Sequence, residues 1–402
     1  MPDTPERPWL TIVGIGEDGL SGLADASRDA LAQADLVTGA ARHLALAGIE
    51  PAQSMPWPVP FEHGIAALLA RRGRGTVMLV SGDPFWFGAG SVVTRHLQPG
   101  EWIAHPAPST FGLAAARLGW PLETTACLGL HAAPFARLRP HLAPGQRALV
   151  LVRDGAAVRE LARYVAGEGF GASQVTVLEA LGGLRERVRD ATADTLDFAD
   201  IAHPVAVAIR CAGDGAVLPL ASGIGDDWFA HDGQMTRRPV RALTLSALAP
   251  RPGEMLWDIG TGSGSIAIEW LLSHPGTRAI GFEADPVRAQ RARANAAALG
   301  GDRLAVVDGR APGVLAGHPL PDAVFIGGGL CADLLETLWR LLERGTRIVA
   351  NAVTLESEAL LAQWHAREGG SLMRVELAEA APLGSKRGWK AHYPIVQWST
   401  AR

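Results

Sequence analysis

The sequence predicts an α/β protein of two domains. Strand and helix patterns alternate along most of the chain, one stretch rich in glycine and aspartate interrupts them, and 402 residues exceed a single ordinary core. Apolar residues make up 48% of the chain and charged residues 19%, enough to bury a core in each domain.

From Trp9 the pattern predicts a strand (WLTIVGIG), a helix around Ala26 to Ala34, a short strand (LVTG) and a proline-rich stretch through Pro51, Pro56, Pro58 and Pro60. A helix over 62–72 and the strand TVMLVSGDP follow, then a helix near 88–97, a strand from Trp102 to His105 and a helix after PSTFG. The strands RALVLV, SQVTVLEAL and PVAVAIR, with a helix near 155–167, complete a first domain over 1–212. Residues 213–234 show neither helical nor strand period and read as a linker.

The second domain, 235–402, runs helix (RPVRALTLSAL), strand (EMLWDIG), helix (SIAIEWLLS), strand (RAIGFEA), helix (PVRAQRARANAAAL) and strand (LAVVDG). The strand AVFIGG, the helix ADLLETLWRLL and the strand TRIVANAV complete it. Regular βαβ units imply a parallel sheet with helices on both faces.

The formal net charge is −4 and the basic residues are scattered, which disfavours a nucleic-acid partner. Almost all of the basic residues are arginine, a planar donor suited to carboxylates, so an acidic small molecule fits. Cys127, Cys211 and Cys331 are few and far apart, forming neither a disulfide framework nor a metal cluster, and a reducing cytoplasm is expected. The start MPDTPERPWLTIVGIG is unlike a signal peptide, and no stretch reaches membrane-spanning length.

Chemistry is most legible at Asp258-Ile259-Gly260-Thr261-Gly262-Ser263-Gly264, between a strand and an apolar helix. Glycine lets the backbone turn sharply toward a ligand, while a helix N-terminus offers free amides. The next strand ends in Glu283, placed to accept hydrogen bonds from the two hydroxyls of an adenosine ribose, and the third ends in Asp308-Gly309-Arg310-Ala311. Three consecutive strand ends thus converge at one sheet edge. In the first domain, Gly14 to Gly19 matches the dinucleotide pattern G-x-G-x-x-G, but Asp35 precedes its strand instead of ending it, which disfavours a nicotinamide oxidoreductase.

The segments VGIGEDGLSGL, VSGDPFWFG and PAPSTFGLAAARLGWP resemble the class III tetrapyrrole methylases, a fold of two α/β subdomains. The segment HDGQMTRRPVRALTLSALAPRPGEMLWDIGTGSGSIAIEW resembles the decarboxylating corrin methyltransferases, a class I Rossmann-like fold. Their fusion resembles a family of cobalamin biosynthesis. The resemblance implies methylation of a precorrin at C5 by the first domain, and at C15 by the second with loss of carbon dioxide from the C12 acetate, taking precorrin-6B to precorrin-8X.

It also implies one S-adenosylmethionine per domain and a homo-oligomer. The candidate donor contacts are Thr236, Asp258, Gly260, Thr261, Gly262, Ser263, Gly264, Glu283, Asp308 and Ala311 in the second domain. In the first they are Gly82, Asp83, Pro84, Ser109 and Thr110, while Gly14 and Gly16 are expected to face the tetrapyrrole.

Methyl transfer to carbon is an in-line displacement at a sulfonium, which needs alignment and exclusion of water more than a protein nucleophile. The sequence therefore singles out no catalytic residue and no metal ligands. After the fourth strand, Phe325-Ile326-Gly327-Gly328-Gly329 lacks the Asn/Asp-Pro-Pro-aromatic motif of base methylation. Gly327 and Gly328 either make room for a bulky planar substrate or form a tight turn. Arg237, Arg238, Arg241, Lys386, Arg387 and Lys390 are candidate carboxylate clamps or solvated surface charges. His231, Asp232, Asn351 and His392 are acid–base candidates or structural groups, and Trp86 is core or ring-stacking.

Overall fold

The computed structural model describes residues 8–402; the segment 1–7, part of the start in which no targeting signal is read, lies outside the described residues. Two compact units emerge, one running through Ala133 and resuming at His141–Ala216, the other combining Pro134–Pro140 with Val217–Arg402.

The first unit holds two sheets. Strands β1 (Leu10–Ile15), β2 (Leu36–Gly39), β3 (Ser54–Pro56), β4 (Thr76–Ser81) and β5 (Trp102–His105) form a parallel sheet in the order β3-β2-β4-β1-β5. Along β1 the side chains alternate: Leu10 and Ile12 join Leu68, Met78 and Val80 on one face, Val13 and Ile15 join Val37, Val77 and Leu79 on the other. The proline-rich stretch contributes more than a loop, because β3 carries Pro56 at the sheet edge, where a missing amide is tolerated. Asp35 precedes β2, at the edge away from the strand carboxyl ends, which removes it from any ribose site.

Strands β6 (Thr125–Gly129), β7 (Arg147–Leu151), β8 (Gln174–Glu179), β9 (Arg187–Thr192) and β10 (Val205–Arg210) build the other sheet in the order β6-β7-β10-β8-β9, with only β6 and β7 parallel. The charged strand β9 shows no apolar alternation because Arg187 and Arg189 both bond Glu179, whose carboxylate is fully buried.

The second unit is built on β11 (Met255–Ile259), β12 (Arg278–Glu283), β13 (Leu304–Asp308), β14 (Ala323–Ile326), β15 (Arg347–Ala352), β16 (Ser371–Val375) and β19 (Ile395–Ala401), with β17 (Ala378–Leu383) and β18 (Lys386–Ala391) as a separate hairpin. The main sheet has the order β13-β12-β11-β14-β15-β19-β16. The expected wholly parallel sheet is corrected here. β11 to β15 are parallel, whereas β19 runs antiparallel to β15 and β16 antiparallel to β19, since the hairpin returns the chain between them.

The segment 213–234 is not a free linker. Leu218, Ile224 and Phe229 are buried with Ile268, Ala296 and Leu299, and Glu269 accepts the amides of Gly223 at 2.6 Å and Ile224 at 3.1 Å. From Val217 on it is a strap on the second unit, whose apolar residues are too irregularly spaced to show a period, while 213–216 stay with the first unit, the Gly215 amide bonding the Gly169 carbonyl.

Candidate functional site

In the second unit the strand order reverses at β11, flanked by β12 on one side and β14 on the other, and ligands of open α/β sheets collect at the carboxyl ends of such a switch point. Gly260, Gly262 and Gly264 all have positive φ, +72°, +59° and +80°, so each glycine of the loop is required by its backbone. Gly264 caps the helix Ser265–Ser273. Gly260 also lies against Gly328: a Cβ on Gly260 would sit 2.6 Å from the Gly328 Cα. Gly327 and Gly328 donate to the Ile259 carbonyl at 2.9 and 3.3 Å, which fits a tight turn, while Gly327 remains exposed.

Glu283, at the end of β12, accepts the Gly262 amide at 2.8 Å and the Asp285 amide at 3.0 Å. Asp258 is buried at 1% exposure; its Oδ2 accepts the Ala267 amide at 3.2 Å and its Oδ1 has no partner among the described residues. Burial pushes this carboxyl up to about 7, and the charge of Glu283 adds to the rise. Asp308 is exposed and paired with Arg293 at 2.8 Å, and Ala311 rests half-buried on the core.

A loop crosses beside these groups. Asp232 accepts from Arg288 at 2.9 Å and Arg291 at 3.0 Å, and the Gln234 carbonyl lies 4.0 Å from where a Gly262 Cβ would stand. The Gln234 amide and the two arginines hold the Asp232 carboxyl well below its usual range. Asn295 joins loop to strap, donating to the carbonyls of Ser263 at 2.8 Å and Ala230 at 2.9 Å. Sequence reasoning missed it, although an asparagine inside an alanine-rich helix goes against propensity and is a usable signal.

The remaining candidates separate by burial. Arg241 is fully buried, bonded to Glu269 at 2.5 Å, Asp226 at 3.0 Å and the Thr236 carbonyl at 2.6 Å, so it is neither a surface charge nor an available clamp. Asn351 shares a hydrogen-bonded cluster with Thr244 and Gln397. His231 is exposed and accepts the Gly233 amide, and His392 lies 3.5 Å from Glu379. Lys386, Arg387 and Lys390 stand exposed on the hairpin β17–β18.

In the first unit a cavity of about 570 Å³ opens at the carboxyl edge of the parallel sheet, a size suited to a small-molecule ligand. Asp83, Ser109 and Thr110 line it beside Trp86, Phe87 and Phe111. Ser109 caps the helix Thr110–Leu118 by accepting the Gly112 amide at 3.0 Å. Trp86 lies 5.0 Å from Phe111, as a wall ring with 39% exposure. Phe87 has φ +54°, a conformation that non-glycine residues adopt at a cost and that concentrates at functional sites.

Neither Gly14 nor Gly16 lines this cavity. Gly14 is buried where a Cβ would collide with the Gly82 carbonyl, so it lets the loops after β1, β4 and β5 meet. Gly82 and Pro84, expected as donor contacts, do not line the cavity either; Gly82 has φ +54° and its carbonyl accepts the Ala107 amide at 3.2 Å, so it serves the turn between these loops. Ser81 and His43 also line the cavity, and nothing in their sequence spacing marks them. Among the described residues no group of three or more potential metal ligands occurs, and no helix is long and apolar enough to cross a membrane.

Two family models match: Tetrapyrrole (Corrin/Porphyrin) Methylases over residues 9–197 and Precorrin methyltransferase domain over 227–402. The precorrin-6Y C(5,15)-methyltransferase [decarboxylating] of Sinorhizobium sp is 50% identical over 397 residues, covering 98% of this chain and 96% of the relative. The protein of that name from Mycobacterium tuberculosis is 39% identical over 401 residues, covering 98% and 100%. A solved C-terminal domain of precorrin-6Y C5,15-methyltransferase from Rhodobacter capsulatus is 54% identical, covering 46% of this chain and all of that one, with a TM-score of 0.45.

Proposed function

This chain belongs to the decarboxylating precorrin-6Y C5,15-methyltransferases, and from that membership we propose that its units divide the work, each with its own S-adenosylmethionine. It is a methyltransferase of cobalamin biosynthesis that methylates a precorrin at C5 and C15 and decarboxylates it. The proposed division gives C5 to the first unit, and C15 with loss of the C12 acetate carboxyl to the second.

One observation carries this reading: each unit has its own ligand-shaped site, a cavity of about 570 Å³ in the first and a positive-φ glycine loop in the second. The residues of the second fit the donor. Asp258 leaves a buried oxygen unpartnered, which suits a cationic or hydrogen-bond-donating group, and around Gly262 the nearest atoms to a Cβ would be carbonyl oxygens at 3.8 and 4.0 Å, without a clash. Glu283 keeps lone pairs for ribose hydroxyls, Asp308 stands in register beside it at the end of the next strand, and Gly328 offers backbone against Gly260, while Thr236 and Ala311 would join from the flanking loops. S-adenosylmethionine supplies the electrophilic methyl group when bound.

In the first unit Asp83, Ser109 and Thr110 would orient the donor, while Trp86, Phe87 and Phe111 exclude water from the displacement. We place the enzyme in the cytoplasm as a homo-oligomer. The test follows substrate mass. Precorrin-6B incubated with donor is expected to gain two methyl groups and lose one carbon dioxide, and S-adenosylhomocysteine is expected to bind twice per chain. A single methyl gain with single binding would overturn the division of labour.

A further inference from the structure

Methylating a meso carbon creates a surplus proton. Forming the C5–methyl bond uses an electron pair of the macrocycle and breaks the donor's sulfur–methyl bond, which leaves a cationic ring that must release one proton to become neutral. Three titratable side chains line the first unit's cavity: His43, Asp83 and His131. Asp83 is turned to the Phe85 amide, which its Oδ1 accepts at 2.8 Å, and His131 is exposed.

His43 differs from both. It is buried at 6% exposure on the short helix Ala41–Leu46, and its Nε2 lies 2.9 Å from Ser81 Oγ, the exposed hydroxyl that ends β4. Arg42 Nη2 lies 3.1 Å from the same Oγ and 2.9 Å from the same Nε2. Arg42 can only donate, so its Nη2 hydrogens reach both Ser81 Oγ and His43 Nε2, and the Ser81 O–H, turned toward His43, shares the one Nε2 lone pair with Arg42. Behind them Glu17 binds Arg42 and, at 2.9 Å, Arg185, leaving the group of Glu17, Arg42 and Arg185 with one net positive charge. Burial, and then the Arg42 charge, hold the His43 imidazole down to about 4, so the ring is neutral at neutral pH and its Nε2 is an acceptor for both the Arg42 and the Ser81 donors.

We propose that Ser81 and His43 form the proton relay of the first unit: Ser81 Oγ takes the proton leaving the methylated ring as it passes its own to His43 Nε2. The imidazolium, beside Arg42, then returns that proton to solvent. Ser81 touches the substrate; His43 acts through it. The relay rests on the assignment of C5 to the first unit.

The test uses the full chain with the second unit's glycine loop blocked by Gly262→Val, so that C5 methylation is read alone by product mass and position. Ser81→Ala is expected to lower its kcat about 100-fold with KM nearly unchanged, within the usual contribution of general base catalysis. The wild-type rate should be flat between about pH 6 and 9, whereas the variant's should climb with pH as hydroxide replaces the lost acceptor. His43→Gln, which keeps a hydrogen-bond acceptor but holds no proton, should behave alike. S-adenosylhomocysteine affinity of the first unit and the melting midpoint should stay near wild type in both variants. A wild-type rate in either variant, or a loss equal at every pH and carried by KM, overturns the relay. If the Gly262→Val protein makes no C5-methylated product, the assignment of C5 fails and the relay with it.

Discussion

Glu283 Oε2 accepts the Gly262 amide at 2.8 Å, so the acid that ends β12 sets the middle glycine of the loop that follows β11. Its other oxygen accepts the Asp285 amide, at the cap of the next helix. One carboxylate thus orders both sides of the candidate donor site, and each of its oxygens retains a lone pair for a ligand hydroxyl.

Removing that carboxylate should therefore act on binding more than on the core. Glu283→Ala is expected to weaken S-adenosylhomocysteine binding by the second unit about 100-fold, on the order of 2.7 kcal/mol, while the first unit's affinity is unchanged. Titration calorimetry resolves the two sites. Equal affinities in both proteins would remove Glu283 from the donor site.

The loop glycines should differ in their sensitivity. A Cβ on Gly260 meets the Gly328 backbone, which cannot move aside as a flexible side chain would, whereas a Cβ on Gly262 has no neighbour closer than 3.8 Å and carries only the strain of its positive φ. Gly262→Ala should cost about 1–2 kcal/mol. Gly260→Ala should cost clearly more, and paired thermal melts give the order. A reversed order would mean that the contact between the loops after β11 and β14 does not constrain the fold.

These positions also show what was readable beforehand. The loop from Asp258 to Gly264 was legible because every glycine in it answers a local backbone demand, and Glu283 because strand order fixes where its side chain emerges. The strap over Leu218, Ile224 and Phe229 was not, since its burial depends on the distant Ile268, Ala296 and Leu299 and follows no period. β9 hid behind arginines whose partner, Glu179, is internal. The antiparallel end of the second sheet depends on a hairpin return that βαβ alternation does not announce. His43 and Ser81 lie 38 positions apart and meet only because β2 and β4 are neighbours.

Asp258 makes stability fall as pH rises. Its carboxyl titrates at about 7 in the folded chain against 3.8 when unfolded, so between those values the folded state binds a proton that the unfolded state lacks. The stabilisation is complete below about pH 4 and is lost as pH climbs through 7, a span worth about 4 kcal/mol. Asp258→Asn, neutral at every pH, should flatten this slope and make the unliganded second unit more stable than wild type at about pH 8. Denaturant melts at about pH 5 and pH 8 check it, and parallel slopes in the two proteins would refute the assignment.

Arg241 separates a structural role from a substrate-binding one. Its guanidinium is fully buried and holds Glu269, which in turn accepts two amides of the strap, so truncation leaves a buried carboxylate without its countercharge. Breaking a buried pair from one side costs about 3–5 kcal/mol, whereas replacing both partners with apolar groups of similar volume is often far milder. Arg241→Met should accordingly unfold the second unit at markedly lower temperature, and Arg241→Met combined with Glu269→Leu should recover part of the loss. The strap amides of Gly223 and Ile224 then lack their acceptor, which limits the recovery. A carboxylate clamp predicts the opposite pattern, an unchanged melting midpoint with a raised KM for the precorrin. Melting curves and steady-state kinetics on the same two variants decide between these outcomes.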